Sequence, residues 1–529
     1  MWQGKEQQKL RLPISIQTFR EVRESGCYYV DKTTYIERLA NEGKSYFLSR
    51  PRRFGKSLFL DTIKEAFECS RELFEGLTIH DRWDWSAPRP VVCLSFGSGY
   101  FTERVGLSTD LLAQLERIES EAGVHDAGLG CEAVALPGRF RRLLAELHRR
   151  WGRRVVVLVD EYDKPILDAI GDPDTARANR DFLRGFYAVI KDSDEHVRFA
   201  LLTGVSKFSK VSLFSGLNNL IDITLESEFS SICGYTDDDL DTVFATELHG
   251  LDRDRIREWY NGYSWLGSEK VYNPYDVLLL FRKRRFGAYW SETGTPKFLV
   301  DTLIERGVST VSLGDIVAGE DLLSTFDIDY IAVEALLFQT GYLTVVGEEN
   351  RGAVLPLYRL DYPNLEVRMS LNRVLFRQLA QDHSLEHLDR SNLPQLLRDG
   401  DLGGIRGLLH RLYASIPYEW YTNNTITRFE GYYASVFYSY FAAQGFDIKV
   451  EDSSSHGRLD MAVCYAGSVF LFEFKVAGAG ASPPVQPLEQ MRERGYPDKY
   501  RSTEEPVYLI GVVFDPEKRN IAAFETALA

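Results

Sequence analysis

This sequence is short of several things that would steer it to a membrane, a secreted scaffold or a polyanion. Its six cysteines, Cys27, Cys69, Cys93, Cys131, Cys233 and Cys464, are scattered, and no two form a C-x-x-C pair. That spacing argues against a zinc site and a disulfide framework, and it fits a reducing, cytoplasmic setting. The first residues, Met1 to Gln8, show no apolar signal region. A membrane helix needs roughly 18 or more consecutive apolar residues, and no such run exists, so no membrane span is expected. Basic charge is in deficit too, with 62 Lys and Arg against 77 Asp and Glu and a net charge of −15. Contact with nucleic acid would therefore need a local basic surface or bound metal ions. No internal repeat is found. What remains is the composition of a water-soluble chain, 44% hydrophobic and 26% charged, and aromatic-rich at 13%. Its 529 residues exceed what one core can organise.

The stretch from Tyr46 to Leu60 reads as a short buried strand, a tight loop and the first turns of a helix. Gly55-Lys56-Ser57 is the back half of a phosphate-binding loop. Gly55 lets the backbone approach a phosphate, Lys56 reaches the terminal phosphates as a point charge, and the Ser57 hydroxyl is placed to hold Mg²⁺. Where a glycine is usual, five residues earlier, stands Arg50, followed by Pro51, Arg52 and Arg53. The run Arg153 to Val159 ends in Asp160-Glu161. A continuous apolar run ending in acids predicts a buried parallel strand with its acids at the edge where open α/β sheets place ligands. Asp160 would hold Mg²⁺ through water, and Glu161 would activate the attacking water. Between the loop strand and the acidic strand, an additional-strand NTPase carries a strand ending in a γ-phosphate sensor. Val197 to Thr203 fits that strand, with Thr203, Ser206 and Lys207 as candidates.

Further strands are expected at Val91–Phe96 and Ile221–Leu225, with helices near 107–121 and 139–150. The dense arginines at 139, 141, 142, 149, 150, 153 and 154 keep to no single helical face, which favours a solvated helix over a nucleic-acid stripe. Beyond 235 the pattern turns helical, including 297–340. A helix at Val333–Leu337 leads into two strand patterns, Tyr342–Val346 and Val354–Leu360, which suggests a winged-helix-like element acting as a lid rather than a DNA reader. Residues 366–415 read as helical without a motif. The last 110 or so residues, from 421, read as a separate domain. A helix near 426–443 containing Glu430 precedes strands at Phe446–Val450, Arg458–Cys464 and Ser468–Val476. A Gly/Ala/Pro-rich loop, a helix around Leu488 and a strand at Val507–Phe514 follow. The expected domains are 1–235, 236–420 and 421–529.

Together these residues carry a resemblance. The phosphate loop Arg50 to Ser57, Tyr29-Val-Asp-Lys-Thr33, Val159-Asp-Glu-Tyr-Asp-Lys-Pro165, Thr203-Gly204 and Asn273-Pro274 resemble the AAA-ATPase-like family of prokaryotic proteins, whose loop also reads Arg-Pro-Arg-Arg-Phe-Gly-Lys. Glu430, Asp460, Glu473-Phe-Lys475, Gln490 and Tyr496 resemble the motif of PD-(D/E)XK nucleases. The resemblance implies an α/β protein: an additional-strand P-loop NTPase sheet, a helical, winged-helix-like lid and a restriction-endonuclease-like domain. It implies ATP bound by Arg53, Gly55, Lys56, Ser57, Asp160 and Thr203, with Glu161 catalytic. It further implies a metal-dependent nuclease centre of Glu430, Asp460, Glu473, Lys475 and Gln490. Mg²⁺ or Mn²⁺ would sit on Ser57 and Asp160 in one centre and on Asp460 and Glu473 in the other.

The hairpin geometry agrees with the second centre. Ala466-Gly467 reads as a two-residue turn, so Tyr465 faces Ser468 and Asp460 falls opposite Glu473. Lys475, two residues on, shares that face. Phe470, Phe472 and Phe474 then line the opposite, core-facing side. The expected function is a nucleotide-controlled, metal-dependent DNA endonuclease, with DNA preferred over RNA and a homo-oligomer left open. A nucleotide-gated binding or signalling protein that does not cut is the alternative. An ATPase acting on protein partners is a third reading.

Overall fold

The computed structural model describes the chain except at 1–8, 125–132, 208–212, 215, 291–298, 301, 304–305, 307, 309–310, 315, 324–331, 350–354, 381–391, 415–429, 455–456, 478–485 and 501–504. The chain divides into two compact units, Met1–Glu292 with Asp315–Asn364, and Thr293–Gly314 with Leu365–Ala529. The boundaries read from sequence, at 235 and 420, lie inside these units.

The first unit is built on β1 (Ser45–Ser49), β2 (Val91–Ser95), β3 (Val155–Asp160), β4 (Val197–Gly204) and β5 (Ile221–Asp222). They form one sheet in the order β2-β3-β4-β1-β5, every neighbouring pair parallel. β4 separates the loop strand β1 from the acidic strand β3, which is the additional-strand arrangement. Val155 to Val159 are all buried, as expected of a strand covered on both faces. The helix Lys56–Phe67 starts at Gly55, whose φ of 93° lets the chain turn sharply out of β1. The helix Pro173–Asp192 has Asp172 as N-cap, accepting from the N–H groups of Asp174 and Thr175, with proline in its first turn. Arg139, Arg141, Arg142, Arg149 and Arg150 belong to the helix Leu136–Trp151, and Arg153 and Arg154 lie between it and β3. Arg139 is buried on Glu119, Arg141 meets Asp192, and Arg149 and Arg150 both meet Glu146.

In the same unit the helix Val333–Thr340 leads into β7 (Thr344–Glu349) and β8 (Leu357–Asp361), a hairpin joined by β6 (Ile316–Gly319) in the order β6-β8-β7. β6 corrects the helical expectation for 297–340. Its β-branched Ile316 and Val317 pair with Leu360 and Arg359, a tertiary partnership that local periodicity does not announce.

The second unit centres on β9 (Asp447–Ser454), β10 (Gly457–Tyr465), β11 (Ser468–Val476), β12 (Val507–Asp515) and β13 (Asn520–Leu528), ordered β13-β12-β11-β10-β9. β9, β10 and β11 form an antiparallel meander, β11 and β12 are parallel, and β13 returns antiparallel. Ala466 and Gly467 have φ of 50° and 76°, the positive pair that a tight two-residue hairpin turn requires. One sheet face packs Phe470, Phe472 and Phe474 against Tyr433, Phe437 and Phe441 of the helix Glu430–Ala442. The other packs Val469, Leu471 and Ala462 against Met491 and Tyr496. No described helix is long and apolar enough to cross a membrane.

Candidate functional site

In the first unit the site forms where β1, β3 and β4 end. Thr203 Oγ1 donates to Asp160 Oδ1 at 2.8 Å, and Ser57 Oγ donates to Asp160 Oδ2 at 2.5 Å. Parallel pairing of β4 with both β1 and β3 aligns the ends of the three strands and makes this chain of hydroxyl, carboxylate and hydroxyl. Of the three sensor candidates, only Thr203 is brought to Asp160. Ser206 donates through its N–H and hydroxyl to Asp163, both at 2.6 Å, and the Lys207 ammonium pairs with Asp222.

Lys56 is buried, and its ammonium donates to the carbonyls of Arg50 and Pro51 at 2.9 Å each. Burial pulls its pKa down, and Asp160 opposes that. Glu161 follows Asp160 with a positive φ of 52°, which turns the chain sharply at the strand end. Burial pushes its carboxyl up, Asp160 adds to this, and Lys56 opposes it.

Arg50, the residue in the usual glycine position, is not aimed at a phosphate. It is fully buried, donates to the carbonyls of Ser49, Thr224 and Phe229 at 2.8–2.9 Å, and lies 4.2 Å over the Trp265 ring. Burial lowers its pKa to about 10. Arg50 therefore braces the loop. Arg53 has a φ of 67° and its guanidinium sits 3.6 Å over the Tyr275 ring, while Asn273 Nδ2 donates to the Arg52 carbonyl at 3.4 Å. The sequence reading missed Asp163 as a brace. It is buried and accepts from Val205 N–H and from Ser206, which fixes the turn after β4. An acid two residues beyond the strand-end pair was the available signal.

The second unit's site lies on the sheet face that packs Met491 and Tyr496. The β10–β11 ladder runs in the expected register from Tyr465↔Ser468 to Met461↔Phe472. One step further, in place of a continued ladder, the Asp460 carboxylate accepts the Phe474 N–H at 2.7 Å. Lys475 Nζ donates to Glu473 Oε1 at 3.0 Å and to the Phe474 carbonyl at 2.8 Å. Gln490 Nε2, from the helix Pro487–Glu493, also donates to Glu473 Oε1. Glu473 Oε2 is buried and has no hydrogen-bond partner among the described residues. The Glu473 carboxyl is pushed up to about 7, by burial first, then by Asp460, against the pull of Lys475 and Arg494. Glu430 is the first residue of the helix Glu430–Ala442, and its side chain lies outside the described residues.

Two carboxylates with an unmatched buried oxygen suit a hard divalent cation, Mg²⁺ or Mn²⁺, more than zinc, which prefers nitrogen and sulfur. Among the described residues no group of three or more His, Cys, Asp or Glu stands ready to hold a metal. A cation on Asp460 and Glu473 would complete its shell with oxygens from outside that described set.

The fold and the first site define an additional-strand P-loop NTPase, joined in one chain to an α/β domain with a carboxylate–lysine centre. The family model described as "Predicted AAA-ATPase" matches residues 13–214, and that of the PD-(D/E)XK nuclease superfamily matches 428–524. A protein of Azotobacter chroococcum mcd 1, named "Uncharacterized protein in vnfD 5'region", is 53% identical over 515 residues, covering 97% of this chain and 98% of its own. This chain belongs to that family, the predicted AAA-ATPases that carry a C-terminal PD-(D/E)XK nuclease-superfamily domain.

Proposed function

We propose that this protein is a nucleotide-controlled, divalent-metal-dependent DNA endonuclease of the cytoplasm, in which the ATPase half acts as a switch. The observation that carries the reading is the buried Oε2 of Glu473 beside Asp460, without a partner among the described residues, with Lys475 and Gln490 both on Oε1. Gln490 and Lys475 hold one oxygen of Glu473 so that the other is left for a cation. Asp460 and Glu473 would hold Mg²⁺ or Mn²⁺, with Glu430 as a further ligand. When bound, the metal lowers the pKa of water and offsets charge at the scissile phosphate. Lys475, anchored on Glu473, would hold the attacking water or the scissile phosphate.

In the other half, Lys56 would exchange its two loop carbonyls for the terminal phosphates, and Arg53 and Gly55 would line the loop. Ser57 and Asp160 would hold the nucleotide's Mg²⁺. Thr203, already on Asp160, would sense the γ-phosphate, and Glu161 would orient the attacking water. The test is plasmid cleavage in Mg²⁺ or Mn²⁺, with and without ATP. Metal-dependent nicking whose rate changes with ATP is expected. Absence of cleavage under all four conditions contradicts the reading.

A further inference from the structure

Lys475 is engaged within its own centre, on Glu473 and on the Phe474 carbonyl. A nucleic-acid backbone approaching two carboxylates on a chain of net charge −15 needs another cation nearby. Arg494 stands there. It directly follows the helix Pro487–Glu493, and its N–H bonds the carbonyl of Gln490, the residue that touches Glu473. Its Nη1 donates at 3.0 Å to the hydroxyl of Tyr496, a residue 2% exposed. Arg494 is exposed, and among the described residues Nη1 is the guanidinium nitrogen that has a hydrogen-bond partner. The charge acts on the centre: Arg494 draws down the Glu473 carboxyl, and after Tyr496 it responds to Glu473 and Asp460.

We infer that Arg494 is a phosphate-gripping residue for the DNA backbone beside Asp460 and Glu473, and that Tyr496 positions it. The inference rests on the nuclease reading above. A guanidinium held at one nitrogen presents its remaining N–H groups in a fixed fork, which matches two phosphate oxygens better than a free lysine does. Tyr496 would set the direction of the fork and does not itself meet the phosphate. A solvated arginine that merely caps the packing of Tyr496 is the bland alternative, and it predicts no effect on DNA.

The test is binding of a labelled DNA duplex to the full-length chain by fluorescence anisotropy, with Ca²⁺ in place of Mn²⁺, over a salt series. Losing one phosphate contact should weaken binding about tenfold at low salt and flatten the log–log salt dependence by about 0.9, whatever the duplex sequence. Arg494→Ala should show both effects. Arg494→Lys should keep the salt slope but not the full affinity, and Tyr496→Phe should fall between wild type and Arg494→Ala. If wild type binds DNA and Arg494→Ala and Arg494→Lys match it in affinity and slope, the inference is wrong and the nuclease reading stands. If wild type neither binds nor cuts DNA, the nuclease reading fails and takes the inference with it.

Discussion

Glu473 supports a quantitative test. Its carboxyl is 1% exposed and is pushed from the ordinary 4.5 to about 7, by burial first and by Asp460 second. Such a group is about nine-tenths ionised at pH 8 and about one-tenth ionised at pH 6. A cation at this centre must displace the proton. In nucleotide-free protein, Mn²⁺ affinity should therefore fall about tenfold from pH 8 to pH 6, with release of about one proton at the lower pH. An ordinary glutamate, already ionised at pH 6, would give no such change. The same linkage acts on the metal-free fold. The folded-state value lies above the unfolded one, so this group stabilises the fold fully below about 4.5, and the contribution is lost as pH rises through about 7. A rise of that size amounts to about 3 kcal/mol at roughly 1.36 kcal/mol per pH unit. Calorimetric Mn²⁺ titrations in two buffers of different ionisation heat measure affinity and proton release together. Glu473→Gln should lose the affinity and the pH dependence alike. Equal Mn²⁺ affinity at pH 6 and pH 8 in the wild type would refute the argument.

Lys56→Ala should abolish tight ATP binding, because the phosphates lose their point charge; unchanged affinity for a labelled ATP analogue would remove the phosphate-loop assignment. Glu161→Gln should bind ATP but turn it over slowly, since the amide keeps the shape and loses the basic oxygen; wild-type phosphate release would move that role elsewhere. Asp163→Ala leaves the buried N–H groups of Val205 and Ser206 without their acceptor, and should cost about 2–3 kcal/mol in urea unfolding. A loss under about 0.5 kcal/mol, the range of an ordinary surface change, would show that Asp163 does not brace the turn.

Where the sequence was readable, the signal was local. Gly55-Lys56-Ser57, the apolar run into Asp160-Glu161 and the Ala466-Gly467 turn each lie within a few residues, and each folds as its pattern predicts. Arg50 was opaque because its meaning lies far away, in carbonyls 174 and 179 positions on and in the Trp265 ring. β13 went unread because Asn520–Leu528 is alanine-rich and weakly strand-forming, and only pairing with β12 makes it a strand. β6 is β-branched at Ile316 and Val317 but only four residues long, and its pairing with β8 is what makes it a strand. At the second centre the register was legible, but the contact of Asp460 with the Phe474 N–H was not, because no local rule says where a ladder yields to a side chain. Arg494 was hidden in a helix end, and the Tyr496 hydroxyl that holds it is visible only in three dimensions.

The central claim is that Asp460, Glu473 and Lys475 form a centre that cuts DNA. The most direct measurement is nicking of supercoiled plasmid in Mn²⁺ by purified full-length wild type, Asp460→Ala and Lys475→Ala, with folding of each checked by circular dichroism. Nicking by the wild type and its loss in both variants are expected. Nicking by either folded variant at the wild-type rate would contradict it.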